Sequence, residues 1–181
     1  PEWLSQLRPE IPTAYVTMGS TGDIADLHRV LTTLRDAGWQ VIATTGQHDA
    51  TPAGIHAVSY ARGSTLLRHS RVAVCHGGSG TIYQAIAEGA PVIGIATFHD
   101  QEINLERVEA MHWGVALDPL GWRESDLLAA IEKVRSPEYL AAVAAGRKEI
   151  AEFVNESRNR PLLGIAGAGS TERPDARAGG R

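Results

Sequence analysis

The stretch Val72–Asn104, which reads VAVCHGGSGTIYQAIAEGAPVIGIATFHDQEIN, decides the fold. It begins with the apolar run Val72–Cys75, which predicts a buried strand, and the glycine-rich residues 77–81 then turn the chain into a helix. A second apolar run, Pro91–Ile95, leads into another helix in the same way. Two strand–helix units in a row predict parallel strands whose connecting helices pack against the sheet.

The same alternation runs through the rest of the chain. Strands are predicted at Ala14–Met18, Gln40–Thr44, Ile55–Ser59, Val72–Cys75, Pro91–Ile95 and Val115–Leu117. Helices are predicted at Asp23–Ala37, Ser64–His69, Gly80–Glu88, Asp100–Met111, Arg123–Val134 and Pro137–Asn155. The first helix has Thr21 or Asp23 as its cap and Gly38 as its stop. The fold class is therefore α/β, a Rossmann-like doubly wound parallel sheet with helices on both faces.

The composition indicates one globular domain. Of the 181 residues, 43% are hydrophobic, enough for residues 1–160 to bury a core without disulfides or a structural metal. Residues 161–181 are rich in Gly, Ala and Arg, and we expect a disordered tail there. The net charge of -4 argues against a nucleic-acid partner, and no apolar run approaches the roughly 20 residues of a membrane span. Because Cys75 is the single cysteine, no internal disulfide can form, and we expect a cytoplasmic location.

The glycine-rich turn has the layout of an anion-binding site. His76 stands at the carboxyl end of the preceding strand, where ligands bind in open α/β sheets. Glycines allow the backbone to approach a ligand closely, and the first amides of a helix present free N–H groups to it. The hydroxyls of Ser79 and Thr81 add further donors. The alternative is that Gly77 and Gly78 only form a tight strand-to-helix turn.

Two further loops are predicted at the same edge of the sheet. Asp100 and Gln101 follow the strand Pro91–Ile95 and offer acceptors and donors suited to sugar hydroxyls, unless Asp100 only caps its helix. Ser20 lies in the turn after the first strand, a small loop able to face a phosphate. Because the carboxyl ends of parallel strands share one edge, we expect the three loops to converge.

Taken in order, these motifs resemble the donor-binding signature of inverting glycosyltransferases with the GT-B fold. The residues that carry the resemblance are HGGSGT at 76–81, GAP at 89–91, Asp100-Gln101 and Asn104. The group includes plant and animal glucosyl- and glucuronosyltransferases and bacterial antibiotic glycosyltransferases. The first strand and its loop, residues 15–20, are similar to the start of that family's C-terminal domain. The likeness covers residues 13–120 and implies the nucleotide-sugar-binding half of a GT-B enzyme.

The resemblance implies a role for each matching residue. The diphosphate of the donor would be held by Ser20, His76, Gly78, Ser79, Gly80 and Thr81. The transferred sugar would be bound by Asp100 and Gln101. Tyr60 would stack on the nucleotide base, Ala61 would meet the edge of the base through its backbone, and Gln84 would face the ribose.

Two positions depart from the family pattern. Gln84 stands where many members have a glutamate that contacts the ribose hydroxyls, and Gly63 stands where the uridine-using relatives often have glutamine. An amide lacks the charge-assisted hydrogen bonds of a carboxylate. The donor is therefore expected to be a UDP-sugar or a dTDP-sugar, and the sequence leaves both nucleotides open.

The resemblance also implies what the chain lacks. In such enzymes the general base is a histidine of the N-terminal domain, so we expect no catalytic residue in this chain. The small-molecule acceptor is expected to bind that absent domain, and no metal or other cofactor is implied. The full-length protein is expected to be a hexosyltransferase. A separate donor-binding subunit of a split enzyme and a nucleotide-sugar epimerase with the same fold stay open as alternatives.

Overall fold

Strands and helices alternate along the chain as the sequence predicts. The computed structural model describes residues 1–19, 22–46 and 51–159. The strands are β1 (Thr13–Thr17), β2 (Gln40–Thr44), β3 (His56–Val58), β4 (Val72–Cys75), β5 (Val92–Ile95) and β6 (Gly114–Leu117). The helices are α1 (Ile24–Asp36), α2 (Gly63–Leu67), α3 (Ser79–Glu88), α4 (His99–Ala110), α5 (Glu124–Val134) and α6 (Pro137–Asn159). The sequence did not predict the short 3-10 helix Glu2–Gln6, and α6 continues past its predicted end at Asn155.

The six strands form one sheet in the order β3-β2-β1-β4-β5-β6, and every neighbouring pair is parallel. The chain moves outward from β1 to β3 and then crosses back to β4, so the strand order reverses between β1 and β4. Ligands in such sheets bind in the crevice at this switch point. The predicted fold class, a Rossmann-like doubly wound parallel sheet, is confirmed.

The register of the central strands brings three loops to the same height. Thr17 at the end of β1 pairs with Cys75 at the end of β4, and Cys75 pairs with Gly94 near the end of β5. The loops that leave these strands therefore open at one edge of the sheet. This confirms that the loop after β1, the glycine-rich turn and the loop before α4 converge.

Two hydrophobic cores lie on opposite faces of the sheet. Successive side chains of a strand point to opposite faces, so each central strand contributes to both cores. Helices α1 and α5 cover one face, and helices α2, α3 and α4 cover the other. The first core contains Val16, Leu31, Val74 and Ile131, and the second contains Tyr15, Cys75, Ile86 and Leu105.

The first helix begins where its sequence indicates. The carboxylate of Asp23 accepts a hydrogen bond from the amide of Ala25 at 2.6 Å, and Gly38 follows the end of the helix with φ of +83°. The alternative cap, Thr21, and the predicted tail 161–181 lie outside the described residues. Among the helices that the structure describes, none is long and apolar enough to cross a membrane.

One helix contact offers a test of the packing. Gly146 lies inside α6, and a Cβ atom added there would lie 2.6 Å from the indole ring of Trp113. Alanine normally stabilises a helix by about 1 kcal/mol relative to glycine. Because the indole ring would have to shift, we expect Gly146→Ala to lower the free energy of unfolding by about 1–3 kcal/mol in urea titrations.

The matched control for this substitution removes the ring. In a Trp113→Ala background, Gly146→Ala should raise the free energy of unfolding, because only the helix propensity of alanine then remains. Stabilisation of the protein by Gly146→Ala in both backgrounds would contradict a close contact between α6 and Trp113.

Candidate functional site

The His76 side chain lies between two glycines at the carboxyl end of β4. A Cβ atom at Gly19 would lie 2.6 Å from Cε1 of the imidazole, and one at Gly78 would lie 2.7 Å from its Nε2. Gly19 also has φ of +59°, which other residues rarely adopt. Any side chain at either position would displace the imidazole. The glycines therefore do more than turn the chain, because they make room for the histidine.

The environment of His76 favours its neutral form. Its Nδ1 is buried and has no hydrogen-bond partner among the described residues. Burial lowers the pKa of His76 below the usual range of histidine, and the negative charge of Asp100 opposes this shift. At neutral pH the ring is therefore neutral and carries one N–H donor.

The start of α3 supplies backbone donors beside this ring. The helix begins at Ser79, and the amides of Thr81 and Ile82 both donate to the carbonyl of Gly78 at 3.1 Å. The preceding amides, those of Ser79 and Gly80, lie before the first intrahelical hydrogen bond. Both residues are exposed, so their N–H groups and the positive end of the helix dipole are available to an anion.

The start of α4 brings a carboxylate to the same place. Asp100 is exposed in the first turn of α4, but it does not cap the helix. The residue that reaches back is Gln101, whose Oε1 accepts hydrogen bonds from the amides of Thr97 at 2.7 Å and Phe98 at 3.2 Å. Gln101 is 4% exposed. Its side-chain oxygen therefore fixes the loop, while the Asp100 carboxylate faces solvent.

These groups line one open cleft of about 530 Å³. Most of the residues predicted to hold the diphosphate and the sugar are present there. The lining consists of Gly19, His76, Gly78, Ser79, Gly80, Thr81, Phe98, Asp100, Gln101 and Asn104. Ser20, the remaining predicted phosphate contact, lies outside the described residues. A neutral imidazole, helix amides, hydroxyls and one carboxylate suit an anionic group joined to a polyhydroxylated one.

The residues predicted to bind the nucleoside lie apart from this cleft. Tyr60 follows β3 and is 83% exposed, and Ala61 beside it is half-buried. Gln84 is exposed on α3, and its Oε1 occupies the space that a Cβ atom on Gly63 would fill. The two positions that depart from the family pattern are therefore in contact, which the sequence did not indicate.

Asn104 makes a contact that the sequence motif does not indicate. Its Nδ2 donates a hydrogen bond to the carbonyl of Gly77 at 3.0 Å and so joins α4 to the glycine-rich turn. The sequence identifies Asn104 as part of the motif. No local pattern shows that its partner is 27 residues earlier in the chain.

Two surface histidines, one at each end of α4, contact carboxylates. His99 at the start of α4 bonds Glu102 at 3.0 Å, and this carboxylate raises the pKa of His99. His112 pairs with Glu138 at 2.9 Å. Over the described part of the chain, no three His, Cys, Asp or Glu side chains are grouped so that they could hold a metal ion.

The chain matches a known protein family. The family model described as UDP-glucoronosyl and UDP-glucosyl transferase matches residues 50–144. The chain belongs to this family. The matched region contains the glycine-rich turn, α3 and the start of α4, which together form most of the cleft.

Two mycobacterial proteins are similar to this member of the family. A PGL/p-HBAD biosynthesis glycosyltransferase of Mycobacterium tuberculosis is 35% identical over 139 residues, which are 75% of this chain and 32% of that protein. A PGL/p-HBAD biosynthesis rhamnosyltransferase of Mycobacterium bovis is 36% identical over 148 residues, 80% of this chain and 33% of that protein. The chain therefore spans about a third of the length of these relatives.

Solved glycosyltransferases share the fold. Spinosyn forosaminyltransferase superposes with a TM-score of 0.70 at 25% identity and covers 87% of this chain and 45% of its own. SsfS6 of Streptomyces sp. SF2575, complexed with thymidine diphosphate, has a TM-score of 0.69 at 23% identity, covering 84% and 40%. Os79 of O. sativa, in complex with UDP, has a TM-score of 0.68 at 21% identity, covering 86% and 42%. The sheet and its helices thus form the fold of one half of a GT-B glycosyltransferase.

The ionisation of His76 can be measured directly. We expect NMR titration of the imidazole to give a pKa below the usual value of about 6.5, because burial disfavours the charged ring. Asp100→Asn should lower the pKa of His76 further, since the carboxylate is the group that opposes the effect of burial. The folded state binds this proton less tightly than the unfolded state, so His76 contributes a loss of stability as pH falls below about 6.5.

A second carboxylate variant is the matched control. Glu102→Gln should lower the pKa of His99, which Glu102 raises, and leave that of His76 unchanged. A pKa of His76 above the usual value, or one that ignores Asp100, would contradict the arrangement described for the cleft.

Proposed function

We propose that this chain is the donor-binding domain of an inverting, metal-independent glycosyltransferase. The enzyme would transfer a hexose from a nucleoside diphosphate to a hydroxyl of a small-molecule acceptor. The observation that carries the proposal is the cleft at the switch point, where His76, the first amides of α3 and the Asp100 carboxylate meet. Membership in the UDP-glucoronosyl and UDP-glucosyl transferase family supports it.

The diphosphate would lie at the start of α3. The amides of Ser79 and Gly80 and the hydroxyls of Ser79 and Thr81 would donate hydrogen bonds to its oxygens, with Ser20 assisting. His76 would donate from its ring, and the negative ligand would favour its protonated form. Charge grows on the diphosphate as the bond to the sugar breaks, so fixed donors lower the barrier to transfer. The helix dipole and the imidazole would perform the charge stabilisation that a divalent cation provides in other enzymes.

The sugar would lie towards α4. The exposed Asp100 carboxylate would accept hydrogen bonds from the hydroxyls of the transferred hexose. Gln101 lies beside it in the cleft and fixes the loop through the amides of Thr97 and Phe98. The position of Asp100 in the first turn of α4 therefore depends on Gln101.

The nucleoside would extend from the cleft towards α2. The exposed ring of Tyr60 offers a stacking surface for the base, Ala61 would meet the edge of the base, and Gln84 would face the ribose. Relatives of the same fold have been solved with UDP and with thymidine diphosphate. UDP-sugars and dTDP-sugars are accordingly the two candidate donors.

The acceptor and the catalytic base would come from a second domain or chain. Large apolar side chains are exposed at the carboxyl edge of the sheet, at the first residue of α1 and in the loops after β3, β5 and β6. They are Ile24 (52% exposed), Tyr60 (83%), Phe98 (53%) and Leu120 (98%). Exposed apolar groups at this edge favour a surface that another domain covers. The relatives are three times as long as the region they share with this chain, which leaves room for that domain.

Calorimetric titration tests the proposal. We expect the chain to bind UDP or dTDP, and His76→Ala to weaken the binding about 10- to 100-fold because one hydrogen bond to a charged group is lost. The affinity of the wild type should rise as pH falls from 7.5 to 6, because binding favours protonated His76, and His76→Ala should remove this dependence.

His69→Ala, at the opposite edge of the sheet, is the control and should leave the affinity unchanged. If His76→Ala bound as tightly as the wild type, His76 would not belong to the site. If neither nucleotide bound, the chain would not be a donor-binding domain.

A further prediction concerns the contact between Gly63 and Gln84. Because the Gln84 carboxamide occupies the space beside Gly63, Gly63→Ala should displace it and weaken nucleoside diphosphate binding several-fold. Binding of inorganic pyrophosphate, which has no ribose, should not change. Gly63→Ala should have little further effect in a Gln84→Ala background.

A substitution at position 84 introduces the glutamate that many family members have there. Gln84→Glu should favour UDP over dTDP by roughly fivefold, because only ribose offers two hydroxyls for charge-assisted bonds. If Gly63→Ala weakened the binding of nucleotide and of pyrophosphate equally, Gly63 and Gln84 would not contribute to recognition of the nucleoside.

A further inference from the structure

The backbone of Gly77 is held from two sides. Its N–H group hydrogen-bonds the thiol of Cys75, which opposes the burial that raises the pKa of Cys75 to about 11. Its carbonyl accepts a hydrogen bond from Nδ2 of Asn104 at 3.0 Å. Gly77 has φ of +87°, a conformation that favours glycine. The turn is therefore bonded both to its own strand and to α4.

Helix α4 also packs directly against this turn. A Cβ atom on Gly77 would lie 2.9 Å from Cγ of Leu105 and 3.0 Å from the carbonyl oxygen of Gln101. Leu105 is 1% exposed. The apolar contact sets the distance between the turn and the helix. Because an apolar contact has no preferred direction, the hydrogen bond from Asn104 sets the orientation of the Gly77–Gly78 peptide plane.

That orientation matters because the peptide joins two glycines. In a trans peptide the N–H of Gly78 points opposite to the carbonyl of Gly77, so the bond that holds the carbonyl towards Asn104 also aims the N–H away from it. Neither Gly77 nor Gly78 has a Cβ atom to resist a flip of the plane between them. A flip would reverse the dipole next to Ser79 and present a carbonyl oxygen where an anion needs a donor.

We propose that Asn104 is a positioning residue that locks the Gly77–Gly78 peptide and so keeps the donors of the turn directed at a diphosphate. This rests on the proposed donor-binding function. Asn104 acts through the backbone of Gly77, and its carboxamide reaches the turn from α4, on which Asp100 also lies. The same side chain thereby couples the phosphate end of the cleft to its sugar end.

Titrations of the full chain with UDP, inorganic pyrophosphate and uridine test this role. Asn104→Leu keeps the approximate size of the side chain but cannot donate a hydrogen bond. We expect it to weaken UDP and pyrophosphate binding about tenfold or more and to leave uridine binding unchanged, because only the phosphates meet the turn. Asn104→Asp should weaken phosphate binding at pH 7.5 at least as much, since a carboxylate repels the Gly77 carbonyl.

Leu105→Val is the matched control, because it loosens the packing against Gly77 and keeps the hydrogen bond. It should lower the stability to urea by an amount comparable to Asn104→Leu and change the UDP affinity less than threefold. Equal losses of UDP affinity in the two variants, or equal losses of UDP and uridine binding in Asn104→Leu, would reduce Asn104 to a general structural role and overturn the inference. Unchanged pyrophosphate affinity in Asn104→Leu would overturn it as well.

The two proposals fail in different ways. If the wild type binds UDP and His76→Ala does not, while Asn104→Leu binds normally, only the role of Asn104 is wrong. If the wild type binds neither UDP nor pyrophosphate, the donor-binding function is wrong and the inference falls with it.

Discussion

The close approach of backbone to side chain around His76 is the constraint on which the site depends. The imidazole occupies space that a Cβ atom at Gly19 or Gly78 would take, and these glycines come from the loops after two different strands. That approach requires β1 and β4 to end at the same height, as the pairing of Thr17 with Cys75 ensures. The reversal of strand order at this point opens the crevice into which the loops project.

Helix α4 approaches the backbone of the glycine-rich turn equally closely from the other side. Leu105 packs where Gly77 has no side chain. Asn104 donates a hydrogen bond to the Gly77 carbonyl, and without Asn104 this buried group would lack that bond. Gln101, in the preceding turn of the helix, binds two amides of its own loop. One face of a single helix therefore orders both the glycine-rich turn and the loop that precedes Asp100. In the proposed function, this helix couples the phosphate site to the sugar site.

The contact between Gly63 and Gln84 changes how the departures from the family pattern are understood. Considered separately, Gln84 lacks the charge of the glutamate that many members have, and Gly63 lacks the side chain of the glutamine that uridine-using relatives often have. In the structure the carboxamide of Gln84 fills the space that Gly63 leaves, so the two residues are complementary. In the proposed function, recognition of the nucleoside therefore depends on the pair, and UDP and dTDP are the two candidate nucleotides.

The sequence by itself determined the order of strands and helices, the fold class, the family and the edge at which the site would form. These follow from local patterns, namely apolar periodicity, glycines at turns and the motif from His76 to Asn104. Only the tertiary structure decided that Gln101 rather than Asp100 caps α4, that Asn104 holds Gly77, and that Gln84 lies on Gly63. It also revealed the short helix Glu2–Gln6 and the longer α6. The physical reason is that these side-chain contacts depend on how helices and loops pack against one another. Local sequence patterns do not specify that packing.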